Sequence, residues 1–126
     1  MRILYICTGN SFRSPVAEAL TRKHHDMEVE SAGVSAVDFV SPAARDWLKK
    51  RDALKYVKPD PDQISQRAIE EADKVVCMMP RHSEYIKRNF NVDPDKVEVW
   101  KVEDPIHPGK EPEEAFKEIE EKVRGL

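Results

Sequence analysis

Cys7 and Arg13 enclose the five residues Thr8, Gly9, Asn10, Ser11 and Phe12, and Ser14 and Pro15 follow at once. A thiol behind an apolar run, a loop of mostly small polar residues and then an arginine is a set that can hold a tetrahedral anion. Gly9 and Asn10 tolerate the left-handed backbone that a tight wrap needs. Such a wrap turns its N–H groups inward and makes an anion cradle. A helix opening at Pro15 adds partial positive charge at its N-terminus. Arg13 can clamp two phosphate oxygens with parallel donors. These surroundings also favour thiolate over thiol at Cys7, and a thiolate below a phosphoryl group can attack phosphorus. The loop N–H groups and Arg13 then meet the charge that develops on the equatorial oxygens. Ser14 is placed to donate to the sulfur. Taken singly, Cys7 reads as a small buried hydrophobe and Arg13 as a solvated charge. The joint spacing gives the pattern its specificity.

The chemistry also needs an acid, because an alkoxide or phenoxide leaves far more readily when protonated. Asp104 is the best candidate, with Glu103 as the neighbouring alternative. It follows the last predicted strand and precedes Pro105, at the same sheet edge as Cys7.

The elements that must position these groups alternate along the chain. Arg2 to Ile6 reads as a short buried strand. Ser14 as N-cap and Pro15 at the first helical position start a helix that runs to about His24. Glu28 to Ser31 is a second strand, ended by Ala32–Gly33. Ser41–Pro42 repeats the cap signal for a helix to about Arg51, and Tyr56 to Pro61 is a loop. Ile64, Ala68, Ile69 and Ala72 mark a third helix, Lys74 to Met78 a third strand, and Pro80 opens a helix carrying Tyr85, Ile86 and Phe90. Asn91 to Asp95 is a turn, Val97 to Trp100 the last strand and Asp104 to Pro112 a loop. Ala115, Phe116, Ile119 and Val123 share one face of the final helix. Strands alternating with helices predict a three-layer α/β/α fold, with a four-stranded parallel sheet covered on both faces. Ligands bind such sheets beyond the carboxyl ends of the strands, at a switch in strand order. The 126 residues fit a single domain, 1–126.

Charged residues make up 36% of the chain and the net charge is −3, against roughly 25% charged residues in an average globular protein. The excess reads as a solvated surface. No basic run suggests nucleic acid, and no apolar stretch approaches the roughly 20 residues of a membrane span. RILYIC is too short for the core of a signal peptide. A cytoplasmic location is therefore expected, with Cys7 and Cys77 as reduced thiols and Cys77 a core residue. His24, His25, His82 and His107 show no ligand spacing, so no metal is expected. Trp47 and Trp100 read as core.

The chain resembles the low-molecular-weight protein tyrosine phosphatases, and more distantly the arsenate reductases that share their fold. The anchors are ILYICTGNSFRSP, the following AEAL, the segment ESAGVS and the late pair Asp104–Pro105. The resemblance implies a phosphate loop from Cys7 to Ser14, between strand one and helix one. It implies Cys7 as nucleophile, Arg13 as transition-state clamp, Asn10 as loop organiser, Ser14 as thiolate partner and Asp104 as general acid, without metal or organic cofactor. Thr8, Gly9, Ser11 and Phe12 complete the phosphate-binding set. The expected substrates are phosphorylated protein or small aryl phosphates, with inorganic phosphate as product and a monomer as the working form.

Several positions depart from the family pattern. Phe12 stands where a second loop cysteine is frequent, so Cys7 lacks a loop partner for a protective disulfide. The usual aromatic substrate walls are replaced by Ile106 after the Asp–Pro pair and by Phe39 in the loop after the SAG segment. A histidine frequent before the third strand is missing, where the chain reads Lys58 to Asp62. Asp38 beside Phe39 bears on phosphotyrosine against phosphoarginine. Arsenate reduction is an alternative, disfavoured because the thioredoxin-linked members use two further cysteines. A non-catalytic phosphate-binding regulatory module is another, disfavoured by the presence of both Cys7 and Asp104.

Overall fold

A computed structural model describes residues 1–105 and 111–126. Four strands, β1 (Arg2–Cys7), β2 (Glu28–Gly33), β3 (Lys74–Cys77) and β4 (Val97–Val99), pair in parallel in the order β2-β1-β3-β4. β1 is buried from Ile3 to Cys7 because it is central and covered on both faces. β4 is an edge strand and keeps Glu98 exposed.

The side-chain alternation of β1 divides the core in two. Ile3, Tyr5 and Cys7 face α1 (Arg13–His24), α2 (Pro42–Lys50) and α5 (Pro112–Arg124), packing with Val16, Leu20, Trp47, Phe116 and Ile119. Leu4 and Ile6, with Val75 and Cys77, face α3 (Gln66–Glu71) and α4 (Pro80–Asn89) through Ile69 and Ile86. The expected α/β architecture is thus present, with helices on both faces. Trp47 tilts against Phe116 and Trp100 against Tyr5, each pair with ring centroids 5.3 Å apart. Cys77 is fully buried, and burial pushes its thiol up to about 12.

Local boundaries moved where tertiary contacts outweighed local signals. α1 begins at Arg13 rather than Pro15, with Phe12 in the cap position and no side-chain cap. Ser14 is therefore not the N-cap: its hydroxyl is used inside the loop. Ser41 does cap α2, accepting from the Ala43 N–H at 3.1 Å. Ser65 caps α3, accepting from the Ala68 N–H, so Ile64 lies ahead of that helix. Leu54–Tyr56 forms a 3-10 turn at the edge of the expected loop. β2 extends to Gly33, whereas β3 and β4 stop before Met78 and Trp100.

Register aligns the carboxyl ends. Cys7 lies opposite Gly33, and Ile6 opposite Cys77. The chain leaves β1 for β2 on one side and later returns to place β3 on the other. The carboxyl end of β1 is therefore the switch point in strand order, and Cys7 stands there.

Candidate active site

The loop after Cys7 is held by its carbonyls. Val34 donates to the Cys7 carbonyl at 3.1 Å, Ser35 to Thr8 at 2.9 Å, Val37 to Gly9 at 3.0 Å and Ser41 to Ser11 at 3.0 Å. With the carbonyls turned toward residues 34–41, the loop's N–H groups face the other way. Among the described residues, no backbone acceptor takes the N–H groups of residues 8 to 12. Backbone donors in folded proteins are almost always paired, so a row of them at a helix N-terminus is built for an anion. Asn10 makes the turn at φ 55°, a left-handed conformation that asparagine adopts more readily than most residues. Gly33 allows the close approach of loop to strand, because a Cβ there would stand 2.7 Å from the Thr8 carbonyl oxygen and 2.9 Å from the Asn10 nitrogen.

The Cys7 Sγ lies 2.9 Å from the Ser14 Oγ. Asn10 Nδ2 donates to Ser14 Oγ at 2.7 Å and to Ser31 Oγ at 2.9 Å. Because Ser14 Oγ accepts from Asn10, its own O–H is left to donate to the sulfur. Arg13 is buried, with Nη1 donating to the Val102 carbonyl at 3.0 Å and Nη2 standing 3.3 Å from Thr8 Oγ1 and 3.6 Å from Asp104 Oδ2. A guanidinium carries five N–H donors, so these contacts orient it without exhausting it. Burial lowers the Arg13 pKa, while Cys7 and Asp104 oppose that shift. Cys7, Arg13 and Asp104, drawn from β1, α1 and the segment after β4, thus converge on one edge of the sheet.

Residues 2–126 match the family described as low molecular weight phosphotyrosine protein phosphatase. The chain belongs to that family. As a low-molecular-weight phosphatase it is a cysteine-dependent enzyme acting on phosphorylated proteins. It is 35% identical over 109 residues to a protein-arginine-phosphatase of Bacillus subtilis, covering 77% of this chain and 68% of the relative. It is 37% identical over 84 residues to the low molecular weight protein-tyrosine-phosphatase Wzb of Salmonella typhi, covering 64% of this chain and 56% of that one. A crystal structure of a YwlE mutant from Bacillus subtilis superposes with a TM-score of 0.83 at 30% identity, covering 98% of this chain and 94% of the other.

Two residues of this phosphatase's site were not legible as such in its sequence. Lys58 is buried, and its Nζ donates to Asn10 Oδ1 at 2.7 Å and the Ser31 carbonyl at 2.9 Å, with Asp62 Oδ2 at 2.7 Å. The Asp62 N–H also donates to Asn10 Oδ1, at 2.8 Å. These donors fix the Asn10 amide with its oxygen toward Lys58 and its nitrogen toward Ser14. The missing histidine had marked this segment as a gap, yet a lysine in a loop carries no sign of being buried. Ser31 in turn donates to Glu18, whose carboxyl is raised by burial and also meets Arg22 at 2.8 Å. The second residue is His82, buried on the first turn of α4 with Nε2 2.9 Å from Thr8 Oγ1. Its lack of ligand spacing excluded only a metal role. Among the described residues, no group of three or more His, Cys, Asp or Glu side chains is placed to hold a metal ion.

The expected pocket walls divide. Phe39 is 64% exposed, with its carbonyl accepting from Ser11 Oγ at 2.9 Å, so its ring stands free beside the loop. Ile106 lies outside the described residues.

Proposed function

We propose that the chain hydrolyses phosphotyrosine or similar phosphomonoesters on proteins through a cysteinyl-phosphate intermediate, with residues 1–126 as one catalytic domain. The observation that carries the residue roles is the convergence at one strand end of Cys7 Sγ, Arg13 and the N–H groups of residues 8 to 12, which no backbone acceptor takes among the described residues. The phosphoryl group lies in the loop, its oxygens met by the N–H groups of Thr8, Gly9, Asn10, Ser11 and Phe12 and by Arg13. The Cys7 thiolate attacks phosphorus as the bond to the leaving oxygen breaks, and Asp104 protonates that oxygen. Water then attacks the cysteinyl phosphate, giving up its proton to Asp104. Phosphate departs and the thiolate returns, with Ser14 stabilising it as leaving group. The same reading takes the enzyme as a cytoplasmic monomer that needs no cofactor; no described helix is long and apolar enough to cross a membrane.

Hydrolysis of p-nitrophenyl phosphate tests this reading. Wild type is expected to turn over at mildly acidic pH and Cys7→Ser to be inactive. Asp104→Asn is expected to lose more activity on phenyl phosphate than on p-nitrophenyl phosphate, because the poorer leaving group depends more on the acid. Wild type that binds phosphate but turns over neither ester overturns the reading and leaves a binding module or a reductase.

A second reading, protein phosphoarginine as substrate, is favoured by the exposed Asp38 beside Phe39, a carboxylate suited to a guanidinium, and by the arginine-phosphatase relative. Comparing kcat/KM on phosphoarginine and phosphotyrosine peptides decides between them, and Asp38→Asn is expected to lower only the former.

The loop's rigidity gives a further expectation. Gly33→Ala forces the Thr8–Asn10 backbone away from β2, and a displacement on the order of 1 Å at the reacting centre is expected to cost about a hundredfold in kcat. Steady-state kinetics checks this, beside a thermal melt that reports whether the sheet is intact.

A further inference from the structure

His82 bridges a helix start and the phosphate loop. Its Nδ1 accepts the Met79 N–H at 3.1 Å. A ring nitrogen that accepts carries no proton, so the hydrogen of the neutral imidazole sits on Nε2. Nε2 therefore donates to Thr8 Oγ1 at 2.9 Å. Arg13 Nη2 also donates to Thr8 Oγ1, at 3.3 Å. With both lone pairs of that oxygen engaged, the Thr8 hydroxyl hydrogen must leave the pair and serve as a donor.

We propose that His82 is a positioning residue that holds the Thr8 hydroxyl, jointly with Arg13, as a side-chain donor to the phosphoryl oxygens bound in the loop. This rests on the phosphatase reading above and adds to it a group on α4, far from Cys7 in sequence. Burial, helped by Arg13 and Arg81, lowers the His82 pKa to about 3. The imidazole thus stays neutral, and its tautomer fixed, throughout the mildly acidic range in which the enzyme is expected to work.

The alternative is that His82 only caps α4, and two substitutions separate the roles. Asparagine can keep the acceptor near the Nδ1 position and the bond to Met79, but it does not reach Thr8. Glutamine reaches toward the Nε2 position and can keep the donor to Thr8. His82→Asn is expected to lower kcat/KM for p-nitrophenyl phosphate about tenfold or more, the value of a buried hydrogen bond in a charged network, and to weaken inorganic phosphate binding in calorimetry. His82→Gln is expected to stay within about threefold of wild type, which is less than one such bond. In a Thr8→Val background, His82→Asn is expected to cost nothing further.

Equal losses in the asparagine variant with and without Thr8→Val overturn the proposal, as does a glutamine variant that fails while asparagine does not. If wild type binds phosphate without turning over any ester, the phosphatase reading falls. The phosphate affinities of the variants still decide the role of His82.

Discussion

Arg13→Lys is expected to lower kcat about a thousandfold, the scale of an arginine that stabilises phosphoryl-transfer charge, while KM changes much less. The guanidinium is buried at the carboxyl edge of the sheet and is fixed by the Val102 carbonyl, Thr8 and Asp104. Its planar fork can face two equatorial oxygens while keeping those contacts. A lysine ammonium keeps the charge but is a single point, and it cannot meet both the Val102 carbonyl and the anion. The lost interaction strengthens as charge moves onto the equatorial oxygens, so the deficit belongs to the transition state and appears in kcat. Steady-state kinetics with p-nitrophenyl phosphate measures it, and circular dichroism with a thermal melt shows that the variant is folded. A kcat within tenfold of wild type sinks the clamp assignment.

How much of this site could be read in advance depended on where each signal lies. Cys7, Asn10, Arg13 and Ser14 occupy one short stretch, so the turn that joins them is a local matter that residue types and spacing report. The alternation of strands and helices is also local, and it sufficed for the layers. Asp104 was reachable because the loop after the last strand must emerge at the same edge as Cys7. Lys58 and His82 were different. Each reaches the loop across a contact of long sequence separation, 48 residues from Lys58 to Asn10 and 74 from His82 to Thr8. Nothing near either residue marks it as buried. Ser14 shows the converse error: serine before proline is a sound local cap signal, but Cys7 and Asn10 compete for its hydroxyl and the helix starts one turn-fraction earlier.

Lys58→Met is expected to destabilise the fold by about 2–4 kcal/mol, the range for removing one partner of a buried charged network, and to slow catalysis at the same time. The lysine donates and never accepts, so together with the Asp62 N–H it gives the chain of hydrogen bonds its direction: Lys58 to the Asn10 oxygen, Asn10 nitrogen to Ser14, Ser14 hydroxyl to Cys7. Without it the Asn10 amide is held at its oxygen, among the described residues, by the Asp62 N–H alone, and the Ser31 carbonyl loses a donor in a buried setting. Asn10 also holds the left-handed turn of the loop, so a loosened amide moves the anion cradle as well as Ser14. Two measurements separate these effects. Urea unfolding gives the stability loss, and the rate of Cys7 alkylation by iodoacetamide reports the reactivity of the sulfur. Alkylation is expected to slow in Lys58→Met, because the loosened Asn10 amide holds Ser14 less firmly as a donor to the sulfur. Lys58→Gln tests which property of the lysine matters. Its amide can still donate to Asn10 but carries no charge, so recovery of alkylation and kcat in this variant assigns the role to the directed hydrogen bond. Failure to recover assigns it to the buried positive charge. A methionine variant that matches wild type in both stability and alkylation shows that the sulfur's reactivity owes nothing to Lys58.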